Sequence, residues 1–285
     1  MATYEKSTTG MLQEKFLAII DAVPPGITGV YYISDENDRL IYIGKSNDIR
    51  KRLYQHFSNT TRKSQRMQQR AHAVAYENMG NELMALLRES EKIKEHQPIF
   101  NRAQRRSIFL WGLYLEQDEH GYNALILRKL RKEEREITAF TSKAEGRERL
   151  FQITEKYQLC QKINGLYPTN QHCFQYSIRT CKGACIQKES TQTYNARVKA
   201  YVDENFLPPI DQTILLEGRD ENEKGVVWIE NGIYRGYGFC GKEVDTKREI
   251  HSIINPKSEN RDTQRLIKGY LRKQHSPVQS FEIDQ

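Results

Sequence analysis

Two extended runs near the start of the chain, Gly29 to Ser34 and Arg39 to Gly44, are separated by Asp35-Glu36-Asn37-Asp38, four residues that favour turns. Such a pattern folds as a β-hairpin, and a hairpin alone is marginal, so other elements must cover it. Those elements follow from periodicity. Leu12, Phe16, Ile19, Ile20 and Val23 recur at helical spacing before Pro24-Pro25 ends the helix. Asn47 or Asp48 caps a helix to about Phe57, with Ile49, Leu53 and Phe57 as its stripe. After a basic stretch from Arg62 to Arg70, a third short strand covers His72 to Glu77. A last helix opens at Gly80-Asn81, carries Leu83, Leu86, Leu87 and Ile93, and stops at Pro98. The expected fold is a small α+β domain, a three-stranded antiparallel sheet with flanking helices.

The texture changes beyond it. Ile108 to Leu115 and Asn123 to Leu130 read as a second hairpin, and Ser142 with Glu145 as a capping box. Past Leu207-Pro208-Pro209, Val226 to Glu230 and Ile233 to Phe239 flank Asn231-Gly232, a strong hairpin signal. A basic helix follows around Thr263 to Lys273. The expected organisation is an N-terminal helix in 1–25, the first α+β domain in 26–105 and a β-hairpin extension in 106–141. A helical cysteine-bearing region (142–207) and a small β-rich C-terminal unit (208–285) complete it.

Charge narrows the partners. The first 210 residues hold 32 Lys+Arg against 24 Asp+Glu, so a negatively charged partner meets that part first. No apolar run reaches membrane-span length and Met1 to Gly10 has no signal-peptide core, so no membrane partner is expected and the location is cytoplasmic. Four of the five cysteines, Cys160, Cys173, Cys181 and Cys185, fall within 26 residues. In a cytosolic chain that density reads as zinc or iron–sulfur ligands, and spacing alone does not choose between them. Cys240 reads as an ordinary strand cysteine.

Gly29-Val30-Tyr31 and Tyr42-Ile43-Gly44-Lys45, on the two strands of the first hairpin, resemble the two halves of the GIY-YIG nuclease signature. The resemblance extends through Arg52, His56, Glu89 and Asn101. It implies a metal-dependent endodeoxyribonuclease with Tyr31, Tyr42, Lys45, Arg52, His56, Glu89 and Asn101 in the catalytic site. Glu89 would be the carboxylate ligand of Mg2+ (or Mn2+), and Tyr42 or Tyr31 would contact or deprotonate the attacking water. A free tyrosine titrates near ~10, so a cation such as Lys45 or the metal would have to lower that value. Each residue also has a plain reading: strand packing for the tyrosines, a solvated helix charge for Arg52, a turn for Asn101.

The segment from Cys173 to Cys185, with Ala139-Phe140-Thr141-Ser142 before it, is similar to the cysteine region of the UvrC/Cho excinucleases. This implies a [4Fe-4S] cluster on the four cysteines, zinc being the second choice. It also implies damaged duplex DNA as partner and a UvrB-type loading protein. Lys45, Arg52, Arg102, Arg105 and Arg106 would contact DNA, and Arg128 to Arg135 would extend that surface. No segment of the UvrB-docking type and no second nuclease domain is recognisable, so one incision is expected, 3′ of a bulky lesion. Two other readings stay open: a nuclease for other DNA structures, and a non-catalytic DNA-binding scaffold.

Overall fold

Alternation in the first hairpin produces the strands expected of it. They are seen in a computed structural model that describes residues 16–102, 109–131, 134–169, 171–205, 207 and 210–273. Strands β1 (Gly29–Ser34) and β2 (Leu40–Ser46) pair antiparallel, and β3 (Ala73–Asn78) adds to the other side of β1. Asp35 closes the turn by accepting from the backbone N–H groups of Asn37 and Arg39. Helical residues 16–21 (α1) and α2 (Ile49–Ser58) cover one face of this sheet, burying Phe16, Ile20, Tyr31, Ile33, Ile49, Leu53 and Phe57 together. Asp48 is the N-cap of α2, accepting from Lys51 N.

The basic stretch Arg62–Arg70 is itself a helix, α3. Its sequence offers one strongly apolar residue, Met67, too few for a period to show. Tertiary contacts hold it: Gln68 Nε2 donates to the carbonyls of His56 (2.8 Å) and Asn59 (2.9 Å), and Met67 enters the core.

Two compact units emerge, one from 1–107 with 209–285, the other from 108–208. In the first, α4 (Glu82–His96) lies against β1 and β2. The chain's last part returns to it. β7 (Gln212–Glu217), β8 (Glu223–Glu230), β9 (Ile233–Gly241) and a short β10 (Asn255–Pro256) form a sheet in the order β10-β9-β8-β7. The Asn231-Gly232 turn has φ of 49° and 69° and joins β8 to β9 as expected. Helix α9 (Arg261–Lys273) runs along α4, with Lys94 bonded to Asp262 (2.6 Å) and Asn260 (2.7 Å). Glu91 of α4 accepts from Tyr237 Oη (2.9 Å) and Lys257 Nζ (2.5 Å).

Asn81 joins these parts in one side chain. Its Oδ1 accepts from Met84 N as the N-cap of α4, while its Nδ2 donates to the Glu217 carbonyl of β7 at 2.7 Å. We predict that Asn81→Ala lowers the unfolding free energy by about 2 kcal/mol, a cap and a buried hydrogen bond together. Urea denaturation measures it, and an unchanged midpoint would remove Asn81 as the joint.

In the second unit, β4 (Trp111–Gln117) pairs with β5 (Asn123–Lys129) in the expected hairpin. A third strand, β6 (Thr138–Phe140), is too short to register as a pattern. The capping box opens α5 (Lys143–Lys156), with Ser142 bonded to Glu145 N; the Glu145 carboxylate reaches back to Thr141 rather than to Ser142. A single turn, α6 (Phe174–Ser177), and α7 (Thr191–Asn205) complete the unit. Its core contains Cys160, Cys173 and Cys181 beside Leu125, Leu150, Tyr194 and Val198. Asn164 stitches sheet, cysteine loop and α7, bonding Leu125 N, the Cys160 carbonyl and Tyr194 Oη. The whole is α+β: a three-stranded antiparallel domain, a helical cysteine region and a β-rich C-terminal part. Among the described residues no helix is long and apolar enough to cross a membrane.

Candidate active site

Strand β2 is an edge strand, and its outward backbone groups need partners. Residues 41, 43 and 45 present theirs to the free side. Phe100 N donates to Ile41 O at 3.0 Å. Asn101 acts as a side-chain peptide for Ile43, accepting from its N–H (2.9 Å) and donating to its carbonyl (2.7 Å). Glu89, arriving on α4, accepts from Lys45 N at 3.0 Å. Two residues of the expected site, Asn101 and Glu89, thus complete the edge that carries Tyr42.

The close approach of β1 and β2 shapes the rest. Tyr31 lies opposite Gly44 in the register, and a Cβ at Gly44 would stand 2.5 Å from Tyr31 Oη. At Gly29 a Cβ would stand 1.9 Å from the Glu77 carbonyl of β3. Both glycines of the signature are therefore required by packing. Over Gly44, the Tyr31 and Tyr42 rings lie 5.9 Å apart, and His56 from α2 approaches them to 5.6 and 5.0 Å.

Among the described residues, two buried polar atoms in this aromatic cluster, Tyr31 Oη and His56 Nε2, have no hydrogen-bond partner of good geometry. Orphaned buried groups are costly, and two in one place mark a site that a ligand or water completes. Burial pushes the Tyr31 hydroxyl far above the ordinary tyrosine range. Tyr42 is also raised by burial, but the Tyr31 hydroxyl and Arg52 draw it back, and Tyr42 is the less buried of the two. Burial, helped by Arg52 and Lys63, lowers His56 to about 4, so its imidazole is neutral near pH 7. We predict that His56 shows no titration between pH 5 and 8 by NMR. The linkage sign follows: the unfolded chain binds the proton more tightly between about 4 and 6.5, so this histidine's neutral burial loses stability as pH falls through that window. A midpoint near 6.5 in the folded protein would place His56 in solvent instead.

Glu89 is a half-buried carboxylate whose pKa is raised by desolvation, against the opposing pull of the Lys45 N–H and of Lys45 and Arg52 charges. Such a group lacks compensation for its charge and fits a hard divalent cation, which binds through one or two carboxylates and keeps several waters. Arg52 is exposed beside it, with Nη1 on Gln55 Oε1. Electrostatically, Tyr42 responds to both Glu89 and Arg52, and Glu89 responds to Arg52. Lys45 is turned differently: its ammonium pairs with Glu82 at 2.7 Å, at the start of α4. Glu82 was not among the expected residues. Its signal was present, since it lies seven residues before Glu89 and hence on the same helical face.

The cysteines converge as well. The Sγ atoms of Cys160, Cys173 and Cys185 lie within 4.8 Å of one another, with Cys160 and Cys173 at 3.8 Å. Cys181 joins through its contact with Cys160, which pushes the Cys160 thiol up and holds the Cys181 thiol correspondingly low. Gly183 N donates to Cys181 Sγ at 3.4 Å. Three soft donors gathered at one point, with Cys181 beside Cys160 as a fourth, fit a thiolate-bound metal.

The basic residues divide. Arg102 is exposed, whereas Arg105 and Arg106 lie outside the described residues. Arg128 bonds Glu116 and Glu134 and stacks on Tyr114 at 3.7 Å, and Arg131 pairs with Glu134, so these two are engaged within the protein.

A hairpin with paired tyrosines, a neutral histidine, an exposed arginine and one half-buried glutamate defines a GIY-YIG domain. Residues 27–102 match the UvrC-like GIY-YIG domain family, and residues 110–204 match the middle domain of the UvrC/Cho excinucleases. Over these residues the chain is GIY-YIG and UvrC/Cho-like, resembling the N-terminal half of UvrC and its homologue Cho. Excinuclease cho of Salmonella typhi is 30% identical over 182 residues, 63% of this chain and 61% of that protein. UvrABC system protein C of Psychrobacter sp. is 23% identical over 237 residues, 80% of this chain and 38% of that protein. The chain thus matches less than two thirds of the length of these relatives. A crystal structure of the GIY-YIG N-terminal endonuclease domain of UvrC from Thermotoga maritima, bound to magnesium as its catalytic cation, is 27% identical; it covers 32% of this chain and 96% of that one, with a TM-score of 0.28.

Proposed function

We propose that this chain is a DNA-repair endonuclease that makes a single metal-dependent incision, on the 3′ side of a bulky lesion in duplex DNA. The observation that carries it is the aromatic cluster of Tyr31, Tyr42 and His56, with two polar atoms unsatisfied among the described residues, coupled to the half-buried Glu89. Glu89 would hold Mg2+ (or Mn2+), whose chemistry is to shield the phosphate and stabilise the leaving oxygen. Tyr42, nearer solvent than Tyr31, would accept the proton of the attacking water as a phenolate, after releasing its own proton to solvent; burial raises its pKa, so a bound cation would have to lower it. His56, neutral, offers Nε2 to hold that proton network. Arg52 clamps a non-bridging phosphate oxygen. Lys45 keeps Glu82 and β2 together, while Asn101 fixes the edge from which Tyr42 and Glu89 act. Arg102 would add a phosphate contact, with Arg105 and Arg106 continuing it in sequence. Binding through such contacts is largely sequence-independent and weakens with salt.

The four cysteines would bind a [4Fe-4S] cluster. A second reading, zinc, is favoured by one distance: two ligands about 2.3 Å from a tetrahedral ion stand roughly 3.8 Å apart, the separation of Cys160 and Cys173 Sγ, 3.8 Å. Iron, sulfide and zinc content of protein prepared without air decides between them.

The functional test is magnesium-dependent cutting of a labelled duplex bearing one bulky adduct, with and without a UvrB-type loader, mapped to the nucleotide. One cut 3′ of the adduct supports the reading. Cutting of branched or unpaired DNA irrespective of the adduct would make the chain a nuclease for other DNA structures. Binding without cutting any substrate would leave only the scaffold.

A further inference from the structure

The cysteine loops hold apolar side chains outward. On α6, Phe174 is 69% exposed and Ile178, one turn later with its N–H on the Phe174 carbonyl, is 51% exposed. Their neighbours point inward: Cys173 is buried at the metal-binding cluster, and Tyr176 is packed between His172 and Lys188 Nζ, which donates to its hydroxyl at 2.5 Å. A four-residue helix has no stability of its own. Here it is tied by Cys173 on one side and by Cys181 and Cys185 on the other, with the Gln175 carbonyl accepting from Thr180 N and Cys181 N. The apolar pair is thus presented on a loop held by these backbone hydrogen bonds and by the buried cysteines.

The charge around it has one sign. From Cys160 to Lys188 the chain has four Lys or Arg (Lys162, Arg179, Lys182, Lys188) and no Asp or Glu. Arg179 and Lys182 are exposed and make no ion pair among the described residues. An exposed apolar tip on an otherwise basic loop complements a phosphate backbone around a gap in base stacking, which an acidic or apolar protein surface would not supply.

We propose that Phe174 and Ile178 form a wedge that engages duplex DNA at a step where bases are unstacked or unpaired, with Arg179 and Lys182 gripping the flanking phosphates. Apolar wedges act at such steps because opening the stack costs a few kcal/mol in intact duplex and little where it is already disrupted. The proposal rests on the DNA-nuclease reading above and adds to it the part of the chain that senses the distortion.

The test uses the full chain with its metal centre loaded, in a Glu89→Gln background so that binding is read without cutting. Fluorescence anisotropy compares a fully paired duplex with one of the same length containing a short mismatched bubble. The unaltered loop should prefer the bubble by about tenfold, the scale of stacking one base on an aromatic ring. Phe174→Ala with Ile178→Ala should erase that preference while leaving affinity for paired duplex nearly unchanged. Arg179→Gln with Lys182→Gln should weaken both and lower the slope of log K against log salt by about 2. Metal content unchanged from the parent shows that each variant loop is folded; loss of metal sends the test to the single Phe174→Leu variant, which should retain about half the preference on a logarithmic scale. A bubble preference that survives the double variant overturns the wedge while leaving the nuclease reading intact. No binding of either DNA by the parent protein overturns both.

Discussion

Glu89→Gln abolishes magnesium-dependent nicking, with a loss on the order of 10³-fold or more, and leaves the fold in place. A metal's charge stabilisation is worth several kcal/mol, which converts to that factor. Glutamine keeps an oxygen for the Lys45 N–H, the bond Glu89 makes at 3.0 Å, so the edge of β2 remains closed. What it removes is the charge. Burial already raises the pKa of Glu89, so ionised Glu89 opposes folding above its ordinary range when no cation is present, increasingly so as pH rises through the shifted value. The variant should therefore be no less stable than the parent in chelator, and magnesium should raise the melting temperature of the parent only. Nicking rates against magnesium, together with calorimetry, test both halves. A variant that still nicks at the parent rate would move the metal away from Glu89.

Gly44→Ala should cost at least about 10²-fold in nicking and about 1–3 kcal/mol in stability, the range for forcing a methyl into a filled core. The new Cβ would meet Tyr31 Oη at 2.5 Å, Tyr31 Cζ at 2.6 Å and Tyr42 Cε1 at 2.8 Å. Both tyrosines must shift, and with them the contacts to His56. Because Tyr31 is fully buried and packed with Ile33, Ile49 and Leu53, it has little room to give. Chemical denaturation and single-turnover nicking measure the two effects. A stable variant that nicks normally would show that the positions of the tyrosine rings do not matter to the reaction.

Much of this site could be read along the chain. The hairpin, the Asp48 and Asn81 caps, the α2 stripe and the placing of Glu89 near an apolar face depend on neighbours within a few residues, and local periodicity reports them. Helix α3 could not be read in this way, because Met67 and Gln68 are held by contacts with α1, α2 and the Asn59 turn rather than by a pattern of their own. The same limit applies to the C-terminal part. Its strands and Asn231-Gly232 turn announced a β-rich piece, but nothing local in Glu217, Tyr237 or Lys257 says that these residues meet Asn81 and Glu91 on α4. Helix α4 consequently has buried residues on two sides, Ala85 and Ile93 as well as Met84 and Leu87, which its sequence shows only as a broad stripe.

The surroundings of the two tyrosines differ for a tertiary reason. Their strand positions look alike in sequence, yet Tyr31 lies on the central strand of the sheet under α2, while Tyr42 lies on the edge strand beside Glu89. Lys45 belongs to the same motif but is drawn to Glu82.

By itself the sequence determined the α+β class of the first domain, the grouping of the signature residues around one hairpin and the clustering of four cysteines, because identity and short-range spacing suffice for these. Tertiary structure alone decided which tyrosine is shielded, where Lys45 points and which segment returns to cover α4. Those depend on burial and on contacts between residues far apart in the chain, and the free energies of such contacts are set by the folded surroundings rather than by the residues themselves.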